Sequence, residues 1–344
     1  MKEIRSEKVV FWGAGVFAEE VWKQISEFDF FNDQYVAVVD NNSILWDKEF
    51  HSLKIISPLK LKELTVDIFV ITSNIYEIEI KNQLKYDLNV SEYKIYSFEE
   101  YKRKSFAKWR YDNRYYANDE TYNKSFDLKK VIVYTAITGQ YDNLKEPLYK
   151  DDKLTYVCFT NNHKLKSNFW NIEYICDTSL DDMQLAKKIK LQPFKFFKEY
   201  ETSIWVDGKF EIKDDMKQYI EKYGKDKPIL CFPHYSRNCI YDEAMACLYL
   251  NKVKKEQIIK QISNYYQMNY PFDNGLYEMG CIVRRHNDIF LQKLMQDWYF
   301  EIKHYSYRDQ ISFPVVCWKN NFLPDICDLD INQNRWIKIY SHNM

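Results

Sequence analysis

The chain has 344 residues, enough for two domains, and its 46% hydrophobic and 17% aromatic content can fill more than one core. Its 49 basic residues stand against 50 acidic ones, a net charge of −1, which excludes a nucleic-acid binder that works by bulk positive charge.

The start, "MKEIRSEKVVFWGAG", runs from a charged lead straight into a strand-and-glycine pattern. It lacks an apolar h-region with a small-residue cleavage site, so no signal peptide is expected. The most apolar stretch, Val9 to Ala18, is far shorter than the roughly 20 residues a membrane helix needs. Residues 1–100 form the first expected domain. "KVVFW" reads as a strand, "GAGVFAEEVWKQISEF" as a glycine turn opening an amphipathic helix, and "YVAVVD" and "DIFVITS" as buried strands. Helical "YEIEIKNQLKYDL" and a short strand at "YKIYSF" follow. This alternation implies a parallel sheet covered by helices.

Residues 101–128 are dense in charge and aromatics without a clean strand, and are expected to be a connecting helix and linker. The run Trp109, Arg110, Tyr111, Arg114, Tyr115 and Tyr116 has the look of an RNA-stacking surface, but packing between the two domains is the expected use. Residues 129–344 form a second α/β unit. "KVIVYTAITGQYD" and "LTYVCFTNN" are strands running into polar loops. "DTSLDDMQLAKKIKLQPFKFFKEY" is helical, with Thr178 or Ser179 expected as N-cap, Asp181 and Asp182 in the first turn, and Pro193 kinking or restarting the helix. The strand in "SIWVDGKFEI" follows. Further helices are expected at 214–223, about 240–267, and 288–302.

Eight cysteines, all after residue 150 and without CxxC pairs, are expected to be reduced thiols. Cys231, Cys239 and Cys247 recur every eight residues, wider than zinc ligands usually stand. Glycine is scarce. The seven are Gly13, Gly15, Gly139, Gly208, Gly224, Gly275 and Gly280, about 2% where about 7% is usual. Gly224 reads as a helix C′ residue; the other six fall in segments that attract attention for other reasons.

"GAGVFA" follows a strand and opens a helix, the context that makes a G-x-G-x-x-G/A motif credible. Gly13 makes the turn, Gly15 lets a phosphate approach the backbone, and Asp40, ending the second strand, can hold a ribose hydroxyl. No Tyr-x-x-x-Lys dyad accompanies it, so hydride chemistry and NAD are not expected. The stretch from about residue 8 to 98 resembles a small Rossmann-like module. It is similar to the nucleotide-sugar-binding N-terminal domains of sugar O-acyltransferases and to modules fused to bacterial glycosyltransferases and FkbM-type methyltransferases.

The second half carries, in order, "VYTAITGQYD", "YVCFTNN", "LAKKIKLQPFKFF", "SIWVDGKFEI", "HYSRNCIYDEA", "NGLYEMGCIVRRHN" and "YSYRDQISF". Over about residues 130 to 320 this run resembles a family of glycosyltransferase-like domains of bacterial surface-polysaccharide loci and plant cell-wall enzymes. The fold class implied is α/β, a Rossmann-like parallel-sheet domain followed by a GT-A-like α/β domain. In a GT-A-like domain the donor lies over the C-terminal ends of the strands, with Mn²⁺ or Mg²⁺ bridging its diphosphate to carboxylates.

That resemblance implies a set of roles. Asp207, ending a strand beside Gly208, would hold the metal, with His286 as a late ligand; the usual Asp-x-Asp is here a single acid followed by Gly208 and Lys209, so a lysine in place of the ion stays open. Thr135, Gly139, Tyr141 and Asp142 would line the base and ribose. Lys187 and Lys190 would reach the diphosphate, and His234 with Arg237 the phosphate or acceptor. Glu278, between Gly275 and Gly280, suits an acceptor site. Asp309 in "RDQ" would act as a base or hold donor hydroxyls, unless it is simply an N-cap.

The expected protein is a nucleotide-sugar-dependent glycosyltransferase of capsule or lipopolysaccharide synthesis. Its partners are a nucleotide-sugar donor and a glycan or lipid-linked acceptor, with no nucleic acid and no transmembrane segment. A cytoplasmic place, extending to the inner face of the membrane, is expected; peripheral membrane association and a homo-oligomer stay open. The alternative is a non-catalytic nucleotide-sugar-binding or scaffold protein.

Overall fold

The computed structural model describes residues 6–28, 31–102, 104–105, 124–139 and 142–341. The linker residues Trp109, Arg110, Tyr111, Arg114, Tyr115 and Tyr116 lie outside the described residues. The chain divides into two compact units, Met1–Trp109 and Arg110–Met344. It is an α/β protein, and among the described residues no helix is long and apolar enough to cross a membrane.

The first unit is built on β1 (Lys8–Trp12), β2 (Gln34–Val39), β3 (Glu49–Phe50), β4 (Leu53–Ile56), β5 (Ile68–Ile71) and β6 (Ile95–Ser97), in the order β3-β4-β2-β1-β5-β6. All pairs are parallel except the edge pair β3–β4. The strands are apolar on both faces because both are covered. Val9, Phe11, Val38 and Val70 pack with Ala18, Val21 and Ile25 of helix α1 (Val16–Glu27). On the other face Val10, Trp12, Val39 and Ile71 pack with Ile80 of α2 (Glu77–Asn82) and Leu84 just beyond it. From central β1 the chain crosses to β2 on one side and later to β5 on the other, so Gly13 and Gly15 lie at the switch point between them. The pair β3–β4 escaped the sequence pattern because β3 has only two residues and its turn uses His51 and Ser52 at positive φ.

The second unit has β7 (Val131–Ile137), β8 (Thr155–Thr160), β9 (Asn171–Tyr174), β10 (Thr202–Val206), β11 (Phe210–Ile212), β12 (Ile229–Pro233), β13 (Tyr277–Arg284), β14 (Asp325–Ile326) and β15 (Ile337–Ile339). Seven of these form one sheet in the order β14-β12-β13-β10-β7-β8-β9, while β11 and β15 pair separately. The large sheet is mixed: β13 runs antiparallel to both neighbours and the other pairs are parallel.

Its helices are α3 (Asp182–Leu191), α4 (Pro193–Phe196), α5 (Met216–Tyr223), α6 (Ile240–Tyr249), α7 (Lys255–Gln267), α8 (Ile289–His304) and α9 (Asp309–Lys319). Several boundaries differ from expectation. Asp181, not Thr178 or Ser179, caps α3: its side chain accepts from Gln184 N while Gln184 answers to the Asp181 amide, a reciprocal capping box. Pro193 restarts the chain as the first residue of α4. The single helix expected over 240–267 is two, broken where Asn251 takes a positive φ of 51°. Gly224 ends α5 at φ −74°, so it is not a left-handed cap; a Cβ there would meet the Phe126 ring at 2.9 Å.

Candidate active site

β10 is a run of five buried residues ending at Val206, and Asp207 is the first residue past its C-terminal end. The Asp207 amide donates to Gly280 O at 2.8 Å, which ties the strand end to β13. Two residues earlier on that strand stands Glu278, opposite Phe232 of β12 past a register shift. Gly208 lies where a Cβ would strike Ile137 Cδ1 at 2.3 Å and touch Asp142 Cβ at 3.4 Å, so a side chain there would have to push the Ile137 tip aside.

Two ionic clusters meet around this strand end. In the first, Asp309 Oδ2 accepts from Lys187 Nζ at 2.7 Å and from Lys190 Nζ at 2.6 Å. Lys190 also reaches Asp207 Oδ1 at 3.2 Å, and the Trp205 indole N–H donates to that same oxygen at 2.7 Å. The lysines stand three apart on α3 and therefore on one face. Burial would raise the Asp309 carboxyl, but the two ammonium groups hold it down to about 2. Burial opposes the charge on both lysines. It prevails at Lys187, whose pKa is lowered, whereas Asp207 and Asp309 together raise that of Lys190. Asp309 Oδ1 is buried and, among the described residues, accepts no hydrogen bond.

In the second cluster His234, at the end of β12, stands 3.4 Å from Glu278 Oε1 and 3.6 Å from Glu243 Oε2 through Nε2. Its Nδ1 accepts from the amides of Ser236 and Arg237 at 3.2 and 3.0 Å, so Nε2 carries the proton. Burial lowers His234 to about 4. Glu243 on α6 takes Arg237 Nε at 2.7 Å and Arg308 Nη2 at 3.3 Å; against its burial, His234 and these arginines keep it below the usual carboxylate range. Glu278 accepts from the neutral Gln310 amide at 2.8 Å, and burial pushes its carboxyl up to about 7. One buried carboxylate is thus held ionised while another titrates near neutrality, the separation that divides acid/base from electrostatic duty in active sites.

The remaining expected residues are placed as follows. Gly139, at φ +62°, donates its amide N–H to Asn161 Oδ1 at 2.8 Å and faces Asp182 at the start of α3. Thr135 lies inside β7 opposite Cys158 rather than beyond the strand, and its buried Oγ1 has no partner among the described residues. Tyr141 lies outside the described residues. His286 is not brought to Asp207. The antiparallel register sets Ser203 opposite Arg284 and Val206 opposite Cys281, so His286 sits beyond the other end of β10, its Nε2 2.8 Å from Phe197 O. Asp309 is the first residue of α9, after its N-cap Arg308, and is spent on the lysines rather than on capping. In the first unit Asp40 holds its own loop: Oδ2 accepts from Ala14 N and Oδ1 from Asn42 N, each at 2.8 Å, so both oxygens expected for a ribose already carry backbone amides.

The residues at hand fit a divalent ion at Asp207 poorly. Two N–H donors, one an ammonium, occupy its Oδ1, the neighbouring Asp309 carries two ammonium groups, and His286 is at the far end of the strand. Hard ions need several free oxygens in a tight shell. Among the described residues, three His, Cys, Asp or Glu ligand atoms come within 4.8 Å of one another at Cys239, Asp242 and Asp273 instead. The eight-residue cysteine spacing forms no cluster; all eight cysteines are free thiols and Cys231 lies in β12.

Sequence reasoning did not single out Glu243, Trp205 or Gln310. Gln310 enters the sequence pattern only as the neighbour of Asp309 in "RDQ". Glu243 follows Arg237 by six residues in the quoted "HYSRNCIYDEA" segment, and that pairing of opposite charges was the available signal.

Over 214 residues the chain is 23% identical to "Probable hexosyltransferase MUCI70" of Arabidopsis thaliana, covering 54% of this chain and 37% of that protein, so it spans little more than a third of that relative's length. Among solved structures, the apo form of the bifunctional glycosyltransferase WbbM aligns with a TM-score of 0.36 at 10% identity, over 60% of this chain and 41% of that one. The UDP-D-quinovosamine 4-dehydrogenase of Vibrio fischeri aligns with a TM-score of 0.22 at 12% identity, over 25% of this chain and 72% of that one. Residues 5–96 match the family model "C2185-like, N-terminal". Residues 106–333, about two thirds of the chain and all of the site just described, match the family "TOD1/MUCI70, glycosyltransferase-like domain", and the chain belongs to it.

Proposed function

We propose that the chain is a nucleotide-sugar-dependent glycosyltransferase with a GT-A-like second unit. Its acceptor is a hydroxyl of a glycan or lipid-linked glycan, and its product a surface polysaccharide of the capsule or lipopolysaccharide type, made at the inner face of the membrane. One observation carries the reading: Glu278, a carboxylate 14% exposed and bonded to a neutral amide, stands beside the charged cluster at the end of β10. Glu278 takes the acceptor hydroxyl proton as that oxygen bonds to the anomeric carbon. The bond from that carbon to the diphosphate oxygen breaks, and the nucleoside diphosphate leaves with the electron pair. Asp309 stays ionised and offers its free Oδ1 to a donor-sugar hydroxyl. The first unit serves as an accessory nucleotide-binding module through its glycine turn.

The test is release of nucleoside diphosphate from UDP-, GDP- and CDP-sugars, with and without glycan acceptors, by the purified chain and by Glu278→Gln. Release lost in the variant supports the reading. Binding without release in the wild type favours the scaffold reading, which the single acid at Asp207 motivates. No binding of any donor overturns both.

A further inference from the structure

We infer that Lys190 occupies the place beside Asp207 that a divalent cation would take, and that Lys187 and Lys190 together supply the positive charge opposite the donor's diphosphate. The inference rests on the nucleotide-sugar reading and deepens it.

The geometry of Lys190 is that of a fixed counter-ion rather than a surface lysine. Its side chain is 3% exposed, and its ammonium lies 3.2 Å from Asp207 and 2.6 Å from Asp309. The same ammonium lies 5.5 Å from the Trp205 ring centroid, within cation–π range. The backbone behind it is held as well: Arg284, buried in β13, donates Nη1 to Lys190 O at 2.7 Å, and the Tyr134 hydroxyl donates to the same carbonyl at 2.9 Å. A cation at a helix C-terminal carbonyl is favourable on its own account. Tyr134, Arg284, Trp205, Asp207 and Asp309 thus restrain one lysine from five positions in the chain.

A metal ion at Asp207 would have to sit within about 2.0–2.6 Å of a carboxylate oxygen. That would bring it next to an ammonium which has no free acid to retreat to, since Asp309 is already shared with Lys187. Like charges at such separations repel, and the Lys190 ammonium, on a side chain 3% exposed, has little water to screen it. The oxygens left over, Asp207 Oδ2 and Asp309 Oδ1, belong to carboxylates whose other oxygens hold the lysines.

The two lysines divide the work. Asp309 Oδ2, accepting from two ammonium groups at 2.6 and 2.7 Å, has the surroundings a non-bridging phosphate oxygen takes between lysines. Lys187 is the more accessible at 15% and, among the described residues, is bound to Asp309 alone, so it is the arm that turns to the diphosphate while Lys190 remains.

Inorganic pyrophosphate is the probe, titrated calorimetrically into the full chain in EDTA and again with excess Mg²⁺. Mn²⁺ binding to the protein alone is followed by electron paramagnetic resonance. The expected results are pyrophosphate binding in EDTA that Mg²⁺ changes less than about twofold, and binding roughly tenfold or more weaker in Lys187→Met, the loss of one charge-assisted contact. Mn²⁺ is expected to stay free. Failure to bind pyrophosphate without metal, a tenfold gain with Mg²⁺, or tight Mn²⁺ binding lost in Asp207→Asn would each overturn the inference. If Lys187→Met does not fold, the wild-type comparison decides alone. Metal-free pyrophosphate binding without turnover of any nucleotide sugar would sink glycosyl transfer and leave the lysine assignment standing.

Discussion

Gln310 donates its side-chain amide to Glu278 Oε2 at 2.8 Å, one residue beyond Asp309, whose Oδ2 takes two ammonium groups. Adjacent residues at the start of α9 therefore serve two carboxylates of opposite character. The one given a neutral partner keeps a proton to about pH 7; the one given two cations loses it near pH 2. The partner, more than depth of burial, separates them.

Glycosyl transfer should follow that difference. With Glu278 as proton acceptor, turnover requires its ionised form, so kcat rises with pH through about 7 and levels off above it. Glu278→Gln keeps the contact region while removing the base. We expect kcat to fall by roughly 10²–10⁴-fold and the acidic limb of the pH profile to disappear. A profile unchanged in the variant would assign the limb to another group.

Asp309 is predicted to matter for stability as much as for chemistry. Asp309→Asn leaves Lys187 without a carboxylate and Lys190 with Asp207 alone, all within a site where Asp309 is 8% exposed. Removing one member of a buried ion cluster costs about 3–5 kcal/mol, and urea denaturation should show it. Adding Lys187→Met to Asp309→Asn removes the stranded charge and should recover part of the loss. An additive double variant would mean that the pair is not coupled.

The same contacts show what the sequence could disclose. Strands β1, β2 and β5 of the first unit were legible because each is a buried apolar run, as Val9–Trp12 and Ile68–Ile71 illustrate. Asp207, Lys187, Lys190, Glu278 and Asp309 stood out as polar residues at strand ends, in glycine-flanked segments or at helical spacing. Their mutual assignment was not legible, because Lys190 and Asp309 are 119 residues apart and meet only through the order of strands. His286 failed for the same reason. Nothing in "VRRHN" announces that β13 runs antiparallel to β10, which carries the histidine to the opposite end from Asp207. Glu243 was hidden in a helical segment whose burial follows from the packing of α6, and Arg308, the N-cap of α9, gave no sign that it would reach Glu243.

His234 gives the protein a separate pH dependence. Burial depresses it from 6.5 to about 4, and protonating Nδ1 would also break the bonds from the Ser236 and Arg237 amides. The unfolded chain binds this proton below about 6.5 and the folded chain does so only near 4. The contribution is therefore fully present above about pH 6.5 and lost as pH falls toward 4, up to about 3 kcal/mol. Glu278 opposes it: its raised carboxyl keeps a proton in the folded state between about 4.5 and 7, so its contribution declines as pH rises across that window. The two are separable in Glu278→Gln, where denaturation midpoints should drop from pH 6.5 to 4 without the compensating change. Midpoints independent of pH in that variant would contradict a buried neutral His234.

Gly280 should tolerate no side chain. It accepts the Asp207 amide through its carbonyl, and a Cβ built on it would lie 2.2 Å from Phe210 Cζ. Phe210 cannot retreat freely, since it is buried in the core beneath β10 and pairs with Ile339 in the β11–β15 ribbon. In Gly280→Ala either the ring or the strand must move, and moving the strand shifts the carbonyl that fixes Asp207. Overpacking of this kind costs about 1–3 kcal/mol. The displacement of Asp207 should add a loss of turnover beyond what stability explains. Phe210→Leu placed in the same chain makes room for the methyl group, so the double variant should be more stable than Gly280→Ala alone and should regain activity. If Gly280→Ala is as stable and active as the wild type, the close approach of β13 to Phe210 is not what fixes the Asp207 backbone.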